Sequence, residues 1–302
     1  MAEKTFVTVH VPATTANLGP GFDCLGLALD LWNEVTVSLE GQGINIEIQG
    51  EGQETLAKDD SNLIFQAFSL AARKFGVDIP KGISIVCRNR IPISSGLGSS
   101  SSAIIAGLIA ARSLFSLNMS DQQLLEIGLE LEGHADNIAA CLLGGLVIVI
   151  KDGEALITQK IKINHILATI ALPQVQLSTR QARKVLPDQY SRQDAVFNIG
   201  RTAALISALI SGDYTYLRSS MEDRIHQPYR LGLIPGAQAA LDAAYEAGAL
   251  GAALSGAGPS LIAFHSTADN RILIEMQKSF DQEKIPVRLF STSTIDAGAY
   301  IK

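Results

Sequence analysis

One stretch of the sequence, PISSGLGSSSSA at residues 92–103, carries most of the information about the fold. It follows a strand predicted at Gly82–Cys87 and precedes an almost wholly apolar helix predicted at Ala103–Phe115. Glycine allows a positive φ and a close backbone approach to a ligand. The unpaired N–H groups and the dipole at a helix N-terminus favour an anion. This stretch, here named the glycine loop, therefore predicts a phosphate site that needs no basic side chain.

Three other glycine motifs are absent or incomplete here, and a simpler interpretation competes with the phosphate site. The pattern GxxxxGK[ST] is absent, and Gly96-Leu97-Gly98 lacks the third glycine of GxGxxG because Ser101 stands there, which leaves a Rossmann dehydrogenase as a weak alternative. A GxSxG elbow is also missing, so a serine hydrolase has little support. The four serines can donate to phosphate oxygens or bind Mg²⁺, but they can equally form an ordinary helix cap.

Composition narrows the class of protein. The 302 residues are 47% hydrophobic and 18% charged, which is typical of a folded enzyme. The net charge of −6 without a basic run argues against a nucleic-acid partner. The N-terminus lacks a signal-peptide pattern, and apolar runs such as Gly145–Ile150 are too short to span a membrane, so we expect a cytoplasmic protein without membrane contact. Cys24, Cys87 and Cys141 lack metal-site spacing and are expected to be buried thiols.

Hydrophobic periodicity predicts a mixed chain of strands and helices. The first fifty residues are expected to form antiparallel strands, and a polar turn at Lys151–Glu154 marks the predicted division into residues 1–153 and 154–302. In the second part, strands are predicted at His165–Leu172, Leu250–Leu254 and Ser260–His265, and helices at Asp194–Ser211 and Pro235–Gly248.

Three motifs in a fixed order resemble those of the GHMP kinases, a family that includes galactokinase, homoserine kinase and mevalonate kinase. The first motif is PATTANLGPGFD at Pro12–Asp23, the glycine loop is similar to the family's Pro-x3-Gly-Leu-Gly-Ser-Ser-Ala signature, and the third motif is LSGAGPS at Leu254–Ser260. The resemblance implies a two-domain α+β fold. Residues 1–153 would form an ATP-binding domain like domain 2 of ribosomal protein S5, and residues 154–302 a ferredoxin-like domain, with the active site between them.

Within that family, the first motif and the segment EGHADN at Glu132–Asn137 resemble the homoserine kinases most closely. The lysine usual in the first motif of mevalonate kinases is absent, since Thr15 or a neighbour stands in its place. The resemblance implies ATP-dependent phosphorylation of the side-chain hydroxyl of L-homoserine to O-phospho-L-homoserine, a step of threonine biosynthesis. A kinase for another small alcohol such as mevalonate, and a metabolite-binding relative without catalysis, stay as alternatives. A homodimer is also left open.

The resemblance further implies roles for individual residues. ATP would be bound by Asn62, Pro92, Ser94, Ser95, Gly96, Leu97, Gly98, Ser99, Ser100, Ser101 and Ser102, and Mg²⁺ by Ser100 and Glu130. Homoserine would be bound by Asn17, Asp23, His134, Asp136, Thr179, Arg183 and Arg230, with Asp136, His134 and Asp23 in catalytic roles.

Several of these assignments keep an alternative. Arg180 competes with Arg183 for the substrate carboxylate, and Asp136 either accepts the hydroxyl proton or only holds the hydroxyl while the γ-phosphate accepts it. Considered alone, Asn62 would be a helix cap and Glu130 a solvated charge.

Overall fold

The computed structural model describes residues 5–153 and 155–302, which form two β-sheets with helices packed against them. The strands are β1 (Phe6–Asn17), β2 (Gly21–Ser38), β3 (Gly43–Gly50), β4 (Gly82–Asn89), β5 (Leu146–Asp152), β6 (Ala155–Ile161), β7 (Leu167–Pro173), β8 (Gly251–Leu254), β9 (Leu261–His265), β10 (Val287–Ser293) and β11 (Tyr300–Ile301). The helices are α1 (Leu63–Lys74), α2 (Ser99–Leu114), α3 (Asp121–Glu132), α4 (Asp136–Leu143), α5 (Thr179–Lys184), α6 (Arg192–Ser211), α7 (Leu217–Ser220), α8 (Gln227–Arg230), α9 (Ala237–Glu246) and α10 (Arg271–Gln282), with a 3₁₀ turn at Leu231–Leu233.

The first sheet has the order β11-β1-β2-β4-β3, and the β5–β6 hairpin joins it through β2. Strands β1 and β2 pair antiparallel as predicted, but β3 pairs parallel with β4. The prediction that all strands of the first fifty residues are antiparallel is therefore wrong for β3. The reason is that β4 occupies the β2 edge from Glu34 to Ser38, so β3 can only extend the sheet beyond β4.

Helix α2 is the central buried helix among those packed against the first sheet. It begins at Ser99, whereas the sequence predicted a start at Ala103. Its first residue follows Gly98, which has φ +71°, and the Ser102 N–H donates to the Gly98 carbonyl. The serine run therefore forms the first helical turn, because a left-handed glycine allows the chain to turn directly into the helix. Helix α2 packs between the first sheet and helices α1, α3 and α4.

The second sheet has the antiparallel order β10-β7-β9-β8, with α9 and α10 packed against it. The chain moves from the first sheet to the second between Ile161 and Leu167, and the β5–β6 hairpin pairs across the predicted division at residue 153. Assigning residues 1–153 and 154–302 to separate domains stays a prediction. Near the third motif, one predicted helix and two predicted strands are present as α9, β8 and β9, within a few residues at each end.

Two further sequence expectations concern the membrane and the thiols. Among the described residues, none of the helices is long and apolar enough to cross a membrane. Cys87 and Cys141 are buried as expected, whereas Cys24 is only half-buried. Burial raises the pKa of Cys24 to about 11 and that of Cys87 to about 12, so both are protonated at neutral pH.

Candidate active site

A cavity of about 440 Å³ lies where the glycine loop, the first motif and the third motif meet. Its walls include the start of α2, the end of α3, the residues before α1, and α5, the helix that follows strand β7 of the second sheet. Segments far apart in the sequence therefore surround one space, which is the usual setting of a small-molecule site between two structural layers.

Direct hydrogen bonds join the three motifs. The Thr14 N–H of the first motif donates to the Leu97 carbonyl of the glycine loop, 3.1 Å away. The Ser255 hydroxyl of the third motif donates to the Gly96 carbonyl at 2.8 Å. The shape of the loop is thus set by both flanking motifs as well as by its own sequence.

Glycines 96 and 98 are required by this close packing. Gly96 has φ +80° and Gly98 has φ +71°, a region that other residues rarely adopt. A Cβ on Gly98 would collide with the Thr14 hydroxyl, and one on Gly96 would collide with the Ser255 carbonyl. Both the backbone conformation and the neighbours therefore exclude a side chain at these two positions.

The N-terminus of α2 faces this cavity through Ser99 and Ser100. Within the described part of the chain, no side chain caps this helix, whose N-cap residue is Gly98. Its first N–H groups and the positive end of its dipole are thus suited to an anion. Ser95, which was also predicted to contact ATP, forms a hydrogen bond within the loop: its hydroxyl donates to the Pro92 carbonyl at 2.7 Å.

Not every residue of the loop reaches the cavity. Of the positions predicted to contact ATP, Ser94, Ser95, Gly96, Gly98, Ser99, Ser100 and Ser102 line it, together with Asn62. Pro92, Leu97 and Ser101 are buried beside it and are not part of its lining. Leu97 belongs to a buried apolar cluster, and the Ser101 hydroxyl donates to Glu132 Oε1 at 3.4 Å.

Asn62 combines the two interpretations that the sequence left open. Its Oδ1 accepts the Ile64 N–H at 3.0 Å, which caps α1, and its Nδ2 donates to the Ala57 carbonyl at 2.7 Å. The residue also lines the cavity next to an apolar wall that includes Val35 and Ile48. This wall was not predicted, because alternating apolar residues in strands indicate a core equally well.

A carboxylate lies against the start of α2, but it belongs to Glu132 and not to Glu130. The Ser100 hydroxyl donates to Glu132 Oε1 at 2.5 Å, and Glu132 lines the cavity. Glu130 is half-exposed and pairs with Lys74 at 2.8 Å. Residues two apart on a helix point to nearly opposite faces, so the structure does not bring the predicted metal ligand Glu130 to Ser100.

His134 lies between two carboxylates. Its Nδ1 is 3.3 Å from Asp136 Oδ1, and its Nε2 is 3.8 Å from Glu132 Oε1. The pKa of His134 is raised, mainly through its hydrogen-bonding contact with Asp136, while burial acts in the opposite direction. Asp136 is 3% exposed, and its Oδ1 also accepts the Asn137 N–H at 2.8 Å. The structure thus brings Glu132, His134 and Asp136 together.

Asp23 and Arg183, which also line the cavity, form a two-pronged ion pair. Arg183 Nη2 donates to Asp23 Oδ1 at 2.7 Å, and Nη1 donates to Oδ2 at 2.9 Å. The hydrogen bonds to Asp23 are the main cause of the raised pKa of Arg183. Asn17 supports this pair because its Oδ1 accepts the Asp23 N–H at 3.0 Å and its Nδ2 donates to the Gly256 carbonyl at 2.7 Å.

Arg230 is the largest fully buried side chain of the described residues and lies behind this pair. Its Nε donates to the Ala182 carbonyl at 3.0 Å, and its Nη1 donates to the Gly256 carbonyl at 3.3 Å. Burial lowers the pKa of Arg230 to about 10, with the charge of Arg183 as the next contribution, so it stays charged at neutral pH. We name the set Asn17, Asp23, Thr179, Arg183 and Arg230 the charged end of the cavity.

Arg180 and Arg183 differ in their position relative to the cavity. Both are on α5, yet Arg183 lines the cavity, whereas Arg180 is exposed and is not part of the lining. Thr179, the first residue of the helix, also lines the cavity. The structure therefore brings Thr179 and Arg183 to the site and leaves Arg180 outside.

Comparison with protein families agrees with these motifs. The model of the GHMP kinases N terminal domain matches residues 62–145, and the GHMP kinases C terminal model matches residues 205–282. The chain belongs to the GHMP kinase family. The glycine loop lies within the first matched region of the family, and α9 within the second.

Individual GHMP kinases are similar over almost the whole chain. A homoserine kinase from Caldanaerobacter subterraneus subsp. tengcongensis is 39% identical over 297 residues, which cover 98% of this chain and 95% of the relative. A homoserine kinase from Microchaete diplosiphon is 38% identical over 302 residues, with 99% and 98% covered.

Solved structures of GHMP kinases confirm the two-domain α+β fold that the three motifs implied. The crystal structure of homoserine kinase from Cytophaga hutchinsonii superimposes with a TM-score of 0.89 at 32% identity, covering 100% of this chain and 99% of that one. A mevalonate kinase from L. major, solved with R-mevalonate, has a TM-score of 0.72 at 16% identity, covering 99% and 97%. At that identity the second likeness shows the fold alone.

Proposed function

We propose that this GHMP kinase transfers the γ-phosphoryl group of ATP to the side-chain hydroxyl of L-homoserine. The observation that carries the proposal is the polarity of one cavity. Its first end offers backbone N–H groups at the start of α2, and its second end offers the carboxylate of Asp23 beside the guanidinium groups of Arg183 and Arg230. The similarity to homoserine kinases over 98% or more of the chain supports it.

The charged end suits a zwitterion. Arginine binds a carboxylate through two parallel N–H bonds, and a carboxylate is the natural partner of an ammonium group. Arg183 and Arg230 would hold the α-carboxylate of homoserine, and Asp23 with Asn17 would hold its ammonium group. Thr179, which lines the same wall, would donate its hydroxyl to the carboxylate.

ATP would lie with its phosphates at the glycine loop and its base against Asn62 and the apolar wall. Mg²⁺ favours a few hard oxygen ligands together with phosphate and water. The Ser100 hydroxyl and the Glu132 carboxylate, which already contact each other, fit that requirement better than Ser100 with Glu130. When bound, the metal would neutralise charge that develops on the phosphate oxygens.

Asp136 would hold the reacting hydroxyl. Its described hydrogen bonds and its contact with His134 all involve Oδ1, which leaves Oδ2 for the substrate. In the reaction the hydroxyl oxygen forms a bond to the γ-phosphorus, the bond from that phosphorus to the ADP oxygen breaks, and the hydroxyl proton passes to Asp136 or to a phosphoryl oxygen. The raised pKa of His134 keeps a positive charge beside these groups over a wider pH range.

The product would be O-phospho-L-homoserine, an intermediate on the way to threonine. A cytoplasmic location stays a prediction from the sequence, and a homodimer stays open.

The test is an ADP-release assay with Mg²⁺, ATP and one acceptor at a time. Homoserine should give the highest kcat/KM, and mevalonate, galactose, serine and threonine should be poor acceptors. Turnover of mevalonate without turnover of homoserine would overturn the proposal and favour a kinase for another alcohol. No ADP release with any acceptor, in a protein that binds homoserine, would favour the non-catalytic alternative.

A further inference from the structure

His226 is a fully buried histidine to which the proposed reaction assigns no role. Its Nε2 lies 2.7 Å from the Gly19 carbonyl, and its Nδ1 lies 3.4 Å from Arg230 Nη1. The Phe22 ring stacks on the imidazole with 5.1 Å between centroids and 21° between planes. His226 therefore touches both the turn of the first motif and one of the two arginines of the charged end.

The two partners fix how the imidazole is protonated. A carbonyl oxygen only accepts, so Nε2 must donate to Gly19, and a guanidinium group only donates, so Nδ1 must accept from Arg230. A single neutral tautomer meets both conditions. Burial lowers the pKa of His226 to about 4, which agrees with a neutral ring at physiological pH.

The backbone of His226 is held by the buried carboxylate of Asp223. Asp223 Oδ2 accepts the N–H groups of His226 at 2.8 Å and Gln227 at 2.6 Å. Its Oδ1 accepts the Ile225 N–H at 2.9 Å and the Asn198 Nδ2 at 2.7 Å. With four such bonds the segment cannot shift easily, so the imidazole has a fixed position relative to α6 and α8.

The turn that His226 contacts is short and tightly packed. Asn17, Leu18, Gly19 and Asp23 all have positive φ, and a Cβ on Gly19 would collide with the Met221 carbonyl. Asn17 directly precedes the turn, and Asp23 follows it as the third residue of β2. A hydrogen bond at Gly19 therefore acts on the two residues proposed to hold the ammonium group.

We propose that His226 is a positioning residue that couples Arg230 to the Gly19 turn. Through these two bonds it sets the separation between the arginine that would hold the substrate carboxylate and Asp23, which would hold the ammonium group. His226 thereby contributes to the selection of an α-amino acid over a simple amino alcohol. The inference rests on the proposed function, because it assumes that the charged end binds an amino acid.

The test compares two substitutions at His226 with one at a control histidine. His226→Phe keeps a ring against Phe22 but loses both hydrogen bonds, whereas His226→Gln can still donate to Gly19 and accept from Arg230. His265 is the matched control, because it is also buried and also bonded through both ring nitrogens, but its partners are the Thr169 hydroxyl on β7 and the Thr267 carbonyl just after β9.

The readouts are KM for homoserine, KM for ATP, and the preference for homoserine over 3-amino-1-propanol, which lacks the carboxylate. His226→Phe should raise KM for homoserine by about tenfold or more, as expected for lost hydrogen bonds to a charged group. It should lower the preference for homoserine and leave KM for ATP within about twofold. His226→Gln should recover most of the loss, and His265→Phe should change only thermal stability.

The outcomes distinguish a failure of the positioning role from a failure of the proposed function. Equal kinetics for His226→Phe and His265→Phe would overturn the positioning role, as would a His226→Gln variant no better than His226→Phe. If His226→Phe does not fold, His226→Asn replaces it, since its shorter amide cannot reach both partners, and the same comparison with His226→Gln applies. If the wild-type protein does not phosphorylate homoserine, the proposed function fails first, and the inference fails with it.

Discussion

The two ends of the cavity would recognise charge in different ways. At the phosphate end, defined by Gly96–Ser102, recognition would come from backbone N–H groups and left-handed glycines within one short stretch. At the charged end it would come from side chains that three distant segments supply, and two of them, Asp23 and Arg183, already bind each other. A local backbone site can be identified from its own sequence, whereas a site of paired side chains is defined only when the chain is folded.

The largest expected effect is at Asp136, where the proposed function places the reacting hydroxyl. Asp136→Asn keeps the shape of the side chain but removes its charge. If Asp136 accepts the hydroxyl proton, kcat should fall by about 10²- to 10⁴-fold, and the dependence of kcat on pH should change. A smaller fall with an unchanged pH profile would assign Asp136 to positioning alone. Wild-type kcat and KM in this variant would remove Asp136 from the mechanism.

A single methyl group added at Gly98 should impair ATP binding at the phosphate end. Gly98→Ala should weaken ATP binding by roughly tenfold or more, because it strains a left-handed backbone and collides with the Thr14 hydroxyl. Gly76→Ala is the matched control, since Gly76 has a similar φ of +69° but no atom within 4 Å of the position that a methyl group would take. Calorimetry with ATP measures both variants. Equal ATP affinity in the two variants would contradict the assignment of the loop.

Two glutamates on α3, Glu130 and Glu132, are the candidate carboxylate ligands of Mg²⁺ at the phosphate end. Glu132→Gln should raise the Mg²⁺ concentration for half-maximal activity by roughly tenfold, because it replaces the charged carboxylate beside Ser100 with a neutral amide. Glu130→Gln should leave that concentration unchanged, because Glu130 pairs with Lys74 away from the loop. A Mg²⁺ titration of both variants decides between them. The reverse order of effects would favour Glu130 as the metal ligand.

The smallest expected effect concerns His134 and pH. The folded-state pKa of His134 is raised above its value in the unfolded chain, mainly by Asp136, so its contribution to stability is complete below the unfolded pKa near 6.5. That contribution is lost as pH rises through the folded pKa. Wild-type protein should therefore exceed His134→Gln in melting temperature by more at pH 5.5 than at pH 9. A difference that grows with pH would contradict this sign.

Sequence reasoning succeeded where one short segment contains the whole feature. The glycine loop and the helix cap at Asn62 each depend on local backbone preferences, and the structure contains both. The predicted start of α2 is wrong by four residues, because the sequence alone does not show that the left-handed Gly98 ends the loop.

Features that depend on packing were not predictable in the same way. Helical spacing predicts that Glu130 and Glu132 point to nearly opposite faces of α3. Only the fold shows that the face with Glu132 is the one that meets Ser100. Similarly, the sequence offered no sign that Asp23 and Arg183 would pair across 160 positions. Nor did it show that His226 joins Gly19 to Arg230.

The most direct measurement of the central claim is the ratio of kcat/KM for homoserine to kcat/KM for 3-amino-1-propanol, with Mg²⁺ and ATP saturating. The two acceptors share the amine and the hydroxyl and differ only in the carboxylate. Losing one partner of a hydrogen-bonded charge pair costs roughly 2–5 kcal/mol, so the wild-type ratio should be about 30 or more. Arg183→Ala should lower it sharply, and Arg180→Ala should leave it unchanged. A wild-type ratio near one, or an equal effect of the two substitutions, would contradict the claim that the charged end selects the substrate.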